Sequence, residues 1–203
     1  TTGQMSTIAG ISGTGKYNGD NIPAINATIR APTDLHVSSS GNIYFVDRDN
    51  YRVRKIDQDG IITTVAGNGY SAATNFNLLA NKTSLSNVIM ALDVSKDEEL
   101  FIIDNQNIVK MVHRNGTISK VAGSGRGFVD NVSALEAKVS DPYGVAVTDT
   151  NEIIIADCRN HRVRKFTVGG NMTTIAGTGL TLMNTGSGVA FSTTVTSPRS
   201  VAF

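Results

Sequence analysis

Three histidines, His36, His113 and His161, and one cysteine, Cys158, are the side chains of this chain best suited to metal or nucleophile chemistry. Their spacing fits no zinc pattern, which needs Cys or His ligands in close pairs. Cys158 has no partner for an intrachain disulfide; the residues around it place it half-buried at the end of a strand. No Gly-x-Ser-x-Gly elbow or phosphate-binding glycine loop occurs. Two basic runs, Arg52-Val53-Arg54-Lys55 and Arg162-Val163-Arg164-Lys165, could contact phosphates. Acidic residues offset them, among them Asp47, Asp49, Asp57, Asp59 and Asp157, and the chain has no tryptophan to stack bases. The formal net charge of +1 supplies no bulk attraction to nucleic acid or an acidic membrane. Nucleic acid is therefore disfavoured as a partner, and the basic strands read as an outward, solvated face.

The elements that carry these residues recur. STIAG (6–10), TTVAG (63–67), SKVAG (119–123) and TTIAG (173–177) end on Gly10, Gly67, Gly123 and Gly177, at steps of 57, 56 and 54 residues. A period of this size marks a repeat whose units bury their apolar faces by stacking. Within 32–67, four apolar runs are separated by turn residues, and Asp59-Gly60 is a strong hairpin signal. Four antiparallel strands per unit describe one propeller blade. The predicted strands are 33–38, 43–47, 52–57 and 61–66, then 90–95, 100–104, 108–113 and 118–122, then 144–148, 153–157, 163–167 and 172–176. Ile43–Val46, Leu100–Ile103 and Ile153–Ala156 are unbroken apolar runs, which need cover on both faces; stacked blades give it. In the middle copy the hydrophobic pattern survives, while Ile108-Val109-Lys110 replaces the basic strand.

Asp47, Asp104 and Asp157 recur at the same strand end, and a carboxylate present in every blade suggests turn capping through backbone N–H groups. The four closing glycines stand where the chain leaves a blade and needs φ > 0. Asn-x-Ser/Thr sequons at Asn26, Asn81, Asn115, Asn131 and Asn171 are possible glycosylation sites. A chain this rich in Asn, Ser and Thr carries several by chance, so they favour an extracellular location only slightly.

The run Asp157 to Phe166 (DCRNHRVRKF), preceded by Pro142-x-x-Val-Ala-Val and followed by Thr-Ile-Ala-Gly-x-Gly, resembles the NHL repeat. The resemblance covers essentially the whole chain. Asn160-His161-Arg162 carries it in full and Asn50-Tyr51-Arg52 in part. The long connections that begin Gly-x-Gly resemble a subtype with extended loops between fourth and first strands. The resemblance implies an all-β propeller, usually of six blades, which at this period needs roughly 340 residues. One NHL-like type is a lyase with metal-bound histidines. Here the histidines fall on a first strand, a third strand and a turn, so they cannot surround one axis.

The expected organisation is one propeller domain of three complete and two partial blades. Residues 1–31 give a last strand and loop, 32–88, 89–141 and 142–197 the blades, and 198–203 a following first strand. Bare edges at both ends predict completion by further residues of a longer chain or by other copies. The expected function is non-enzymatic, without cofactor or metal: a scaffold for a protein partner or for copies of itself. Two alternatives are a subunit of an extracellular filament and an enzyme whose catalytic residues lie outside these 203 residues.

Overall fold

A computed structural model describes residues 3–11, 16–181 and 188–203. Three antiparallel sheets follow one another along the chain. In the first, β1 (Ile22–Pro23), β2 (Pro32–Val37), β3 (Ile43–Asp47), β4 (Arg52–Ile56) and β5 (Ile61–Ala66) lie in the order β1-β5-β4-β3-β2. The second contains β6 (Ile89–Val94), β7 (Leu100–Asp104), β8 (Val109–Val112) and β9 (Ile118–Ala122) in sequence order. The third repeats the first, with β10 (Val132–Ser133), β11 (Pro142–Val147), β12 (Ile153–Asp157), β13 (Arg162–Phe166) and β14 (Asn171–Ala176) in the order β10-β14-β13-β12-β11. This is a β-propeller arc, with boundaries within about two residues of those expected from the apolar runs.

The apolar runs are buried because adjacent blades sandwich them. Tyr44, Val46 and Val53 of the first blade pack on Leu92, Leu100 and Ile102 of the second. Phe101, Ile103 and Met111, on the opposite face of the second blade, pack on Val145, Ile155 and Phe166 of the third. Each such side chain removed from water contributes roughly 1.5–3 kcal/mol.

One feature of the topology has no counterpart in the four-run pattern. The long loop before a blade adds a short outermost strand to it. Ile22 pairs with Ile62 and Val132 with Met172, and in the second blade a single bridge joins Leu79 to Thr117. A buried alanine follows each, Ala24, Ala80 and Ala134, and its carbonyl accepts from the N–H of a repeat-closing glycine: Gly10 for the first, and Gly67 and Gly123 of the preceding blades for the other two. The second and third loops thus staple one blade to the next.

Two expected strands differ. Residues 3–10 and 198–203 carry no strand, since a strand needs a ladder partner and neither segment enters a ladder among the described residues. Residues 199–201 run against the backbone of Gly144 on β11.

Candidate functional site

The turn after the second strand of a blade organises its polar residues. In the first blade Asp47 ends β3, Arg48–Asn50 make a 3-10 turn, and Tyr51 takes a left-handed conformation, φ 51°. Asp47 Oδ1 accepts from the Arg30 N–H at 2.8 Å and from Asn50 Nδ2 at 3.0 Å. The third blade repeats the turn. Asp157 Oδ1 accepts from the Ser140 N–H at 2.8 Å, Asn160 Nδ2 donates to Asp157 Oδ2 at 2.8 Å, and His161 has φ 53°. Asp104 Oδ1 accepts from the Gln106 N–H at 3.1 Å.

These carboxylates also hold buried cations, which corrects the reading of the basic strands as a solvated face. Arg54, Lys110 and Arg164 are fully buried, as are Asp47, Asp104 and Asp157. Arg54 Nη1 lies 3.3 Å from Asp47 Oδ2, and its Nη2 lies 3.1 Å from Asp20 Oδ1. Arg164 Nη1 lies 3.1 Å from Asp157 Oδ2, and its Nη2 lies 3.1 Å from Asp130 Oδ1. Among the described residues, Lys110 Nζ pairs with Asp104 alone. The basic decoration of the middle blade is thus reduced to one lysine rather than lost. Burial pushes the Lys110 ammonium down against the pull of Asp104. Burial also raises Asp157, opposed by Asn160, the Ser140 N–H and Arg164. Such pairs add little net stability, because desolvation offsets attraction, yet removing one partner is costly.

Asp20 and Asp130 come from the long loops, and each loop adds an aromatic ring. Tyr17 lies 3.7 Å from the Arg52 guanidinium carbon and Phe128 lies 3.8 Å from that of Arg162, ring centroid to Cζ. Arg52 also donates to the carbonyls of Asn50 and Asn68, and Arg162 to those of Asn160 and Thr178. An outer arginine, an inner arginine, a ring and a carboxylate therefore clamp the loop to the blade beneath it.

The second glycine of Gly-x-Gly has positive φ in all three copies, at Gly69, Gly125 and Gly179, and the clamp adds a steric reason where an arginine is present. A Cβ on Gly69 would stand 2.6 Å from the Arg52 guanidinium, whereas one on Gly125 would meet nothing within 4 Å. The middle blade has Ile108 where the others have the outer arginine, and among the described residues no ring stacks on a cation there. Its loop, 68–81, carries no charged residue, and Tyr70, Leu78 and Leu79 are 73%, 51% and 50% exposed.

The histidines do separate work. His36 Nδ1 lies 2.6 Å from Asp93 Oδ1, His113 Nε2 lies 2.7 Å from Ser119 Oγ, and His161 Nδ1 accepts from the Ser197 N–H at 3.1 Å. Among the described residues no three His, Cys, Asp or Glu side chains converge as metal ligands. Cys158 is buried on the turn that follows β12. Asn26, Asn81, Asn115, Asn131 and Asn171 are all exposed. No helix among the described residues is long and apolar enough to cross a membrane.

Sequence reasoning missed Asp20, Asp130, Tyr17 and Phe128. Their signal was an aromatic two or three residues before an aspartate in each loop that precedes a basic strand.

The turn, the clamp and the stacked blades together define a β-propeller domain of the NHL type. The chain belongs to the Teneurin NHL domain family, whose model matches residues 11–179. It is 26% identical over 176 residues to mouse Teneurin-3 and 27% identical over 175 residues to human Teneurin-4. Each match covers 78% of this chain and 6% of the relative, so the chain spans a small part of those proteins. A Bacteroides thetaiotaomicron protein of unknown function is similar in fold, with TM-score 0.64 and 18% identity over 85% of this chain and 42% of its own. An auxiliary nutrient binding protein from Bacteroides ovatus is similar too, with TM-score 0.60 and 18% identity over 87% of this chain and 44% of its own.

Proposed function

We propose that this domain is a non-enzymatic protein-binding or assembly scaffold, and that the loop of its middle blade is the recognition element. One observation carries the reading. The polar residues that recur from blade to blade face one another in the interior and leave little to act on a substrate. Asp47, Asn50 and Arg54 bond to one another and to the loop above them, as do Asp157, Asn160 and Arg164. What varies is the loop before the middle blade, which brings no carboxylate to Lys110 and meets the clamp only where Arg52 of the first blade donates to the Asn68 carbonyl. An uncharged segment with three half-exposed or more exposed apolar side chains, set on a rigid scaffold, suits a protein partner better than a small polar substrate.

Cross-linking of the full-length protein to its partners in its native source tests this. Cross-links are expected to concentrate on 68–81. They should disappear when Tyr70, Leu78 and Leu79 are all replaced by serine, substitutions at exposed sites that leave the blades intact. Partners retained undiminished by that variant would overturn the assignment of the loop.

A further inference from the structure

The three innermost strands, β2, β6 and β11, belong to three different sheets, and no backbone ladder joins them. They line a groove of about 340 Å³ along the axis of the arc, with Asp34, His36, Asp93, Tyr143 and Arg199 among its walls. Side chains supply the polar ties between them. Asp34 Oδ2 accepts from the Leu92 N–H at 2.7 Å, which links β2 to β6. Asp93 Oδ2 accepts from the Val147 N–H at 2.6 Å, which links β6 to β11. Asp93 Oδ1 accepts from its own neighbour, the Val94 N–H, at 2.9 Å and meets His36 Nδ1 at 2.6 Å. One carboxylate therefore touches all three strands, and one of its contacts titrates.

We propose that His36 and Asp93 form a proton-operated clasp that fastens the first blade to the second and third at the axis. With the imidazole protonated, the contact is a charge-assisted bond between imidazolium and carboxylate. When His36 gives its proton to solvent, which it can because its side chain is 33% exposed, a neutral N–H can still donate to Asp93. That neutral bond is about half as strong. The tie from Asp93 to Val147 does not depend on the proton, so the change falls on the junction between the first two blades. The third blade has Gly144 and Ala146 on its inner strand, and neither can extend the chain of ties.

The surroundings favour the proton. Asp93 faces His36 from β6, Asp34 lies on the same strand, Glu98 lies on the turn between β6 and β7, and Tyr44 is the cross-strand neighbour on β3. Tyr44 donates its hydroxyl to Glu98 at 2.5 Å, and Ser40 donates to the same carboxylate at 2.6 Å. Burial works against the Glu98 charge, but those hydrogen bonds hold its carboxyl down at about 2, so it is ionised throughout the range that matters. Arg199 is the one arginine or lysine lining the same groove among the described residues, and its guanidinium lies 5.4 Å from the ring centroid of Tyr143 on β11. The hydrogen bond to Asp93 raises His36 above the ordinary histidine value, outweighing burial, and the charges of Asp93, Asp34 and Glu98 add to it. The unfolded chain titrates near 6.5. The added stability is therefore complete below about pH 6.5 and drains away as pH rises through the higher folded value. The junction is tightest under mildly acidic conditions.

Thermal unfolding of the full chain and of His36→Gln, from about pH 5 to pH 8, tests the clasp. The wild type is expected to lose several degrees more than the variant over that range, with the two midpoints converging at the alkaline end. In parallel, the His36 ring is followed by NMR, its signal identified by its absence from His36→Gln. It should titrate above the value it shows in Asp93→Asn. Superimposable pH profiles for wild type and His36→Gln would overturn the clasp, whether or not Asp93→Asn folds. A His36 ring that titrates at or below the ordinary value would do the same.

Discussion

Replacing Arg54 with methionine is expected to destabilise the protein by about 3–5 kcal/mol, the cost of leaving a buried charge without its partner. The side chain is fully buried between Asp47, itself fully buried, and Asp20, with the Gly19 carbonyl as a further acceptor at 2.9 Å. Methionine fills most of the volume but provides no donor, so the Asp47 carboxylate keeps only Asn50 and the Arg30 N–H. Arg164→Met should behave alike, for Asp157 and Asp130 stand in the same places. The contrast is Arg48→Ala. Arg48 pairs with Asp49 at the surface, where both side chains are nearly half exposed, and the change should cost under about 1 kcal/mol. Urea denaturation of the three variants separates the cases. A cost for Arg54→Met as small as that for Arg48→Ala would mean that the buried cross does not hold the blade.

Gly67→Ala is expected to cost roughly 2–5 kcal/mol, the sum of a left-handed backbone and an overpacked contact. Gly67 has φ +88°, and an added Cβ would stand 2.2 Å from the backbone oxygen of Tyr51. That oxygen cannot retreat, because Tyr51 is itself the left-handed residue of the turn that sets Asn50 on Asp47. A Cβ on Gly123 or Gly177 would likewise stand 2.3 Å from the carbonyl oxygen of Asn107 or His161. Gly10→Ala is the comparison, since at φ +91° its Cβ would meet only the Ile29 methyl at 3.6 Å. It should show the backbone term alone, about 1–2 kcal/mol. Equal losses at Gly10 and Gly67 in chemical denaturation would remove the steric part of the argument.

The propeller was legible because the period and the unbroken apolar runs are direct consequences of blade stacking. The destination of the arginines was not. Arg52-Val53-Arg54 alternates as a half-exposed strand would, and alternation reports which residues share a face, not what covers it. The cover comes from Asp20 and Tyr17, some 34 and 37 residues upstream of Arg54, in a segment that reads as a loop. The phase of the pairing also shifts between Val53 and Arg54, between Val109 and Lys110, and between Val163 and Arg164. A register shift of this kind re-aims side chains without leaving a mark in the polar pattern. The fifth strand was hidden for a similar reason, being two residues long. Its trace was the small-residue pair that follows it, Ala24/Ala27, Ala80/Thr83 and Ala134/Ala137.

A buried arginine fastens the preceding loop to the first and third blades, whereas the middle loop is tied to its blade by backbone contacts, which leaves its apolar side chains open to the proposed partner. Native-state hydrogen exchange on Asp20→Asn tests this arrangement most directly. The substitution removes the loop's carboxylate while Asp47 still pairs with Arg54, so the blade itself should persist. Amides of 19–24 should lose protection, while those of 130–134 and 77–80, which answer to other blades, should exchange as in the wild type. Unchanged protection at 19–24, or a uniform loss across all three loops, would contradict the account.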